Sequence, residues 1–256
     1  MDAFLKTCPI VCPLVFLAGF VDSVAGGGGI ISLPAYLMAG LPAHLAAGTN
    51  KVVNGCGTLM ATVKYFRSGK VRLRPAAAAA LGALAGAALG AQLASMIPEA
   101  ALKTILLVAL PCVAVFLMLR RDFGADGAGA AEIEPKREVF VSALIGLFIG
   151  CYDGLVGPGT GTFMILCFTA FLSMDLLTAS GCAKAANLAS NVGSAVVWIL
   201  HGSVLWRLAL PAIACNIAGN LLGARYAIRG GSRKIRRMMF FVLGLLFLKM
   251  LYDLFV

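Results

Sequence analysis

The chain has 256 residues, of which 61% are hydrophobic and 12% charged, with a mean hydropathy of +0.94 and a formal net charge of +10. Soluble domains carry about 25% charged residues, and a single core cannot hide this much apolar surface, so the composition excludes a soluble globular protein and indicates an integral membrane protein. In that setting a positive balance reports orientation through cytoplasmic Lys and Arg, rather than a nucleic-acid partner.

In chain order, apolar stretches long enough to cross about 30 Å of hydrocarbon are predicted over 9–26, 43–66, 74–96, 100–119, 139–157, 177–200, 206–228 and 237–255. Two shorter apolar segments, 28–41 and 160–174, each follow a glycine-rich break, Gly26-Gly27-Gly28-Gly29 and Gly157-Pro158-Gly159-Thr160-Gly161. Residues 121–138 are charged and Gly/Ala-rich and read as a flexible linker. The expected fold is therefore an all-α membrane protein of about eight full spans and two short, glycine-broken helices near the midplane. The first apolar run has a small-residue end like that of a signal peptide, but it recurs inside the chain, where a signal cannot act.

That recurrence organises the sequence. GFVDSVAGGG at 19–28 aligns with GCYDGLVGPG at 150–159, so Asp22 falls on Asp153, Gly26 on Gly157 and Gly28 on Gly159 at an offset of 131. At an offset of 133, Gly48 falls on Gly181, Lys51 on Lys184, Asn54 on Asn187, Gly69 on Gly202, Gly86 on Gly219 and Gly90 on Gly223. Residues 1–120 and 139–256 thus read as two copies of one transmembrane unit, joined by the linker.

Fifteen basic residues cluster in three places, around 64–74, 120–137 and 225–237, while Lys6, Lys103, Arg207 and Lys249 stand apart. If each short segment counts as a crossing, the copies are inverted and all fifteen lie on one side; if it does not, the copies are parallel and the split falls to roughly eleven against seven. The bias favours inversion, with a cytoplasmic linker and both termini outside.

Lys51 and Lys184 are the basic residues that fit no loop. A Lys deep in a membrane helix is expensive and marks a functional-site hypothesis. Gly48, Lys51, Asn54 and Thr58 share a helix face, and Gly181, Lys184, Asn187 and Asn191 repeat the pattern. Ammonium and amide donors on one face suit an anion. The alternatives are a Lys paired internally with an Asp, or one snorkelling to the interface. Asp22 and Asp153 each precede a break by four residues; they are candidate Lys partners or proton-carrying groups, or carboxylates held by backbone N–H groups at a helix end. Gly27 and Gly28, with Gly159 and Thr160, would open half-helices whose N–H groups face an anion, since paired interrupted segments point to a transporter site; close helix packing is the competing explanation, and it accounts for Gly82, Gly86 and Gly90.

Other chemistry is thinly represented. Cys8, Cys12, Cys56, Cys112, Cys151, Cys167, Cys182 and Cys215 all lie in apolar stretches with no C-x-x-C, so they read as small hydrophobes, and no metal site or cofactor is expected. His44 and His201 read as interfacial, Trp198 and Trp206 as interface anchors. Neither break is a P-loop, so ATP coupling within this chain is not expected, and no nucleophile or metal constellation supports an enzyme.

The run GFVDSVAGGGGIISLPAYLMAGLPAHLAAGTNKVVN resembles the repeated signature of the sulfite exporter TauE/SafE family of membrane transporters. The glycine-rich break, the Pro of the next short segment, the Gly40 to Thr49 run and the later Gly69 to Val71 follow in order, and the second copy fits more loosely, with Cys182 where the first has Thr49. The resemblance covers nearly the whole chain and implies movement of small, often sulfur-containing anions such as sulfite or organosulfonates. The expectation is a secondary transporter in a bacterial-type inner membrane, working by alternating access on a small anion, with an anion channel on the same scaffold, a non-sulfur carboxylate as cargo and a homo-oligomer left open.

Overall fold

The computed structural model describes residues 2–106, 108 and 134–255, with side chains over 7–106, 108 and 134–240. Every element there is helical: α1 (Asp2–Ala25), α2 (Gly29–Met38), α3 (Ala43–Arg67), α4 (Leu73–Met96), α5 (Pro135–Leu155), α6 (Thr160–Leu172), α7 (Leu176–Leu200) and α8 (Trp206–Phe255). Most of the span expected at 100–119, residues 120–133 with Arg120 and Arg121, and Cys112 lie outside the described residues, as do the side chains of Lys6 and Lys249; the end of the expected linker, 135–138, is helical and opens α5 at Pro135, a residue suited to a first helical turn.

Among the described residues, four stretches are long and apolar enough to cross a membrane: Thr7–Ala25, Leu73–Met96, Pro135–Leu155 and Trp206–Phe240. α3 and α7 are also 25 residues long, but their polar stripes dilute the apolar signal. The spans expected at 206–228 and 237–255 belong to one helix, α8, which breaks its helical geometry at Gly231 with φ 62° and ψ −167°. The two short apolar helices, α2 and α6, begin one residue after the glycine N-caps Gly28 and Gly159.

Lipid supplies no hydrophobic drive for helices to associate, so close approach of small residues must do it. α4 runs parallel to α5, with Gly82, Gly86 and Gly90 against the carbonyls of Ala143, Leu147 and Cys151; a Cβ on Gly86 would lie 2.1 Å from the Leu147 oxygen. Gly146, Gly150 and Gly154 return the contact against Ala79, Ala83 and Ala87. α1 meets α8 the same way, through Gly219 and Gly223 on the carbonyls of Phe16 and Phe20. α3 packs on α8 and α7 on α4. The main contacts therefore come in matched sets that join the first half of the chain to the second. α3 and α7 run antiparallel: Gly48, near the start of α3, sits on the Ser203 carbonyl beyond the end of α7, and Gly181, near the start of α7, sits on the Lys70 carbonyl beyond the end of α3. Leu81, Leu89, Phe148 and Leu200 stay largely exposed on the outer faces, as lipid-facing side chains do.

Candidate functional site

Asp22 and Asp153 lie in the last turns of α1 and α5. A helix C-terminus is the negative end of its dipole, so a buried carboxylate there needs a cation. In both cases a lysine supplies it. The Lys184 Nζ lies 2.7 Å from Asp22 Oδ2, and the Lys51 Nζ lies 2.7 Å from Asp153 Oδ1. The side chains are 0% and 10% exposed in the first pair and 7% and 4% in the second, so neither lysine snorkels to the surface. Asp22 is held by its ammonium group and Asp153 by its ammonium group and two side-chain hydroxyls, with no backbone N–H on either carboxylate among the described residues. Each pair is exchanged: the lysine of one half neutralises the aspartate of the other.

The glycine breaks make this geometry possible. Gly26 and Gly157 take positive φ, 80° and 92°, which ends α1 and α5 and turns the chain back past the aspartates. A Cβ on Gly28 would lie 2.4 Å from the Asp22 Cβ, and one on Gly157 would lie 3.3 Å from the Lys51 Nζ. The breaks also touch each other. Gly26 abuts Gly161, the Thr162 N–H donates to the Gly26 carbonyl at 3.3 Å, and the Thr162 hydroxyl donates to the Ala25 carbonyl at 2.8 Å. The expected half-helices therefore start back to back at the centre of the molecule, beside both ion pairs. The carbonyls of Gly27 and Gly28 accept the first helical bonds of α2.

Of the other sequence candidates, Thr160 is brought onto the site. Its hydroxyl is 2.7 Å from Asp153 Oδ1 and 2.7 Å from the Gly157 carbonyl. Asn54 and Asn187 stand one turn from the lysines but are engaged with other amides. The Asn54 Nδ2 donates to Asn50 Oδ1 at 3.0 Å, and Asn54 Oδ1 accepts from Asn216 Nδ2 at 3.1 Å. Asn187 Oδ1 accepts from Asn191 Nδ2 at 3.2 Å. Buried amides without partners are costly, which accounts for this ladder. Asn220 extends it, donating to Asn216 Oδ1 at 2.8 Å. Asn50, Ser190, Asn216 and Asn220 were not among the sequence candidates. The spacing of Asn216 and Asn220, four residues apart within an apolar run, was the available signal.

At one end of the molecule the basic clusters surround two cavities. One, of about 390 Å³, is lined by Lys64, Arg67, Ser68, Arg225, Ile228 and Arg229. The other, of about 700 Å³, is lined by Arg72, Arg74, Glu134 and Glu138 among others, with an Arg72–Glu138 ion pair at its wall. At the opposite end, Glu99 accepts from the Ala43 N–H at the start of α3 and lies 2.5 Å from His44 Nδ1.

The whole arrangement sits inside one family match, to the model described as "Sulfite exporter TauE/SafE", which covers residues 11–250. The chain belongs to the sulfite exporter TauE/SafE family. TauE/SafE-like relatives are named as transporters across nearly their full lengths. The chain is 39% identical to the "Probable membrane transporter protein ORF9" of Sinorhizobium sp, over 93% of this chain and 90% of that protein. It is 33% identical to a "Probable membrane transporter protein" of Haemophilus influenzae, over 99% and 98% of the two chains. It is 30% identical to the "Probable membrane transporter protein YfcA" of Escherichia coli, over 98% and 94%. No solved structure matches it. Family membership and these names point to an integral membrane transporter.

Proposed function

We propose that the protein is a secondary transporter of a small anion, sulfite or an organosulfonate, moved across the inner membrane by alternating access. The observation that carries the reading is the pair of exchanged Lys–Asp contacts at the glycine breaks. Two buried cations are present where an anion would need them, and each is neutralised while no anion is bound. A buried ion pair contributes little net stability, whereas an unpaired buried charge costs several kcal/mol, of order 3–5. An incoming sulfonate or sulfite oxygen replaces a carboxylate oxygen at an ammonium group, and the site stays neutral when the displaced carboxylate takes up a proton.

The two chain segments, 1–120 and 139–256, act as two copies with inverted topology. The antiparallel course of α3 and α7 and the matched contacts between halves support this. The cavity lined by Lys64, Arg67, Arg225 and Arg229 forms the cytoplasmic mouth, where positive charge concentrates anions. Rocking of the α1/α8 and α4/α5 units about the abutting breaks exposes the pairs to either side in turn.

The test is flux in proteoliposomes with sulfite, sulfoacetate, thiosulfate and lactate. Uphill accumulation of a sulfur-containing anion, abolished in Lys51→Ala and Lys184→Ala proteins that remain folded, is the expected result. Normal transport by both folded variants overturns the anion-site assignment. Only downhill flux of the panel, with no accumulation under any gradient, identifies a channel instead. Reporter fusions at the linker and the C-terminus are expected on opposite sides; finding both on one side overturns the inverted arrangement.

A further inference from the structure

The two ion pairs occupy matching positions, yet their surroundings have diverged. Asp153 is held on both oxygens. Oδ1 receives Lys51 and faces the Thr160 hydroxyl, and Oδ2 accepts from the Ser190 hydroxyl at 2.7 Å. The residues at the corresponding positions of the other half, seven after Asp22 and 133 before Ser190, are Gly29 and Gly57, which have no hydroxyl to give. Nor is there room for one at Gly57, where a Cβ would lie 1.8 Å from Asn216 Oδ1. Asp22 therefore has one hydrogen-bonding side-chain partner among the described residues, Lys184, and is the more exposed of the two carboxylates, at 10% against 4%. The charged or titratable groups facing it are Lys184 from α7 and the Tyr65 phenol of α3, which donates to the Ser23 carbonyl next door. Around them, α2 offers the Gly28 backbone, α6 offers Thr162 and α8 offers Asn220.

We propose, building on the transporter reading and narrowing its two candidate cations to one, that the pairs divide the work: Asp22–Lys184 is the labile pair that couples one proton to each anion, and Asp153–Lys51 is a fixed joint that stays closed. Asp153 is tied by three side-chain donors against one for Asp22, so a single contact has to open to release Asp22 while three hold Asp153 in place. The step balances simply. A proton from water adds to the Asp22 carboxylate, the contact to Lys184 opens, and the freed ammonium donates to the anion. After the site turns to the other side, the anion leaves, the Asp22 carboxyl returns its proton to water and the pair closes. Anion and proton each favour the other's binding, because either one alone leaves an unbalanced charge in a buried site. A monoanion then crosses with no net charge.

The assignment is tested on the whole protein without knowing its cargo. A hydrophobic carbodiimide modifies carboxyl groups that become protonated in apolar surroundings, and peptide mass spectrometry locates the adduct. Asp22 is expected to label clearly more than Asp153, with labelling rising as the pH falls. The Thr160→Ala/Ser190→Ala protein is expected to bring Asp153 up towards Asp22. Equal labelling, preferential labelling of Asp153, or no labelling of Asp22 at any pH overturns the proposal. The second arm is the sulfite and sulfoacetate flux assay with and without an inward acid gradient. The stimulation by the gradient is expected to vanish in Asp22→Asn and to persist as a ratio in Asp153→Asn; the reverse pattern overturns the proposal. A wild-type protein that moves none of the anions defeats the transporter reading, and the labelling arm then judges the pairs alone, as it also does where a variant is inactive.

Discussion

Thr49 and Cys182 do the same task with different atoms. The Thr49 Oγ1 accepts the Leu205 N–H at 2.9 Å, at the entry to α8, and the Cys182 Sγ accepts the Arg72 N–H at 3.4 Å, at the entry to α4. Both residues are fully buried, and both N–H groups belong to turns of the opposite half of the chain. The departure of the second half from the Thr seen in the first is thus a conservative exchange of acceptors.

Cys182→Thr is accordingly expected to change stability by less than about 1 kcal/mol, since one acceptor replaces another. Cys182→Val and Thr49→Val leave a part-buried N–H without its side-chain acceptor and are expected to cost about 1–1.5 kcal/mol each. Thermal unfolding in detergent, followed by intrinsic fluorescence, distinguishes the two classes. A Val variant as stable as wild type contradicts the role assigned to these acceptors.

The exchanged ion pairs predict a strong coupling between Lys51 and Asp153. Lys51→Met or Asp153→Leu alone abandons a charge in the interior and is expected to destabilise by about 3–5 kcal/mol, while the double replacement recovers most of that loss. A double-mutant cycle on folded yield and unfolding temperature reads the coupling. Additive single effects would mean the 2.7 Å contact contributes nothing specific.

Glycine at the α4–α5 seam is set by space. Gly86→Val drives a branched side chain into the Leu147 carbonyl, and the expected cost is at the upper end of the roughly 1–3 kcal/mol typical of overpacking. Gly69→Ala is a useful contrast, because no atom lies within 4 Å of its would-be Cβ and the penalty there arises from its φ of 68° alone. Comparing unfolding temperatures and the yield of folded protein separates a packing effect from a backbone one.

At the other end of the molecule, partial burial pushes the Glu99 carboxyl up, but the N–H of Ala43 and the side chain and N–H of His44 outweigh it and hold the group below the ordinary carboxylate range. A depressed folded value means the contribution is fully present above the unfolded value and is lost as the pH falls through the folded one. Stability at neutral pH is therefore expected to include this contact and to lose it on acidification. Glu99→Gln is expected to remove it at neutral pH and flatten that acid limb, by no more than about 0.5 kcal/mol given the side chain's exposure. The check is the unfolding temperature of both proteins across the acid range.

How much of this was legible in the sequence varies by residue. Lys51, Lys184, Asp22 and Asp153 stood out because charge is rare in apolar helices, and their offsets tied the halves together. Which lysine meets which aspartate was not legible. Lys51 is chemically as good a partner for Asp22 as for Asp153, and only the tertiary exchange of contacts between halves decides. The breaks were visible as glycine runs, but their contact with each other at Gly26 and Gly161 was not, since a glycine-rich turn carries no side chain to announce a neighbour. Asn216 and Asn220 were absorbed by the apolar run around them, where averaging over a window hides a four-residue spacing. The kink at Gly231 lies between two expected spans, so α8 reads as two elements in sequence and as one bent element in space.

The seam between α1 and α8 has a further consequence, for how the chain is made. The first helix leaves the ribosome with its face at Phe16 and Phe20 unpacked, and the glycines that pack on it, Gly219 and Gly223, emerge some two hundred residues later. At the ordinary pace of synthesis, about 5–20 residues per second, that wait lasts on the order of ten seconds or more. Contacts this distant in sequence also form slowly once both partners exist. Until residue 184 is made, Asp22 near the end of α1 also lacks the lysine it pairs with, which lies on α7. The nascent chain must be sheltered until its second half arrives, and neither half is a complete folding unit.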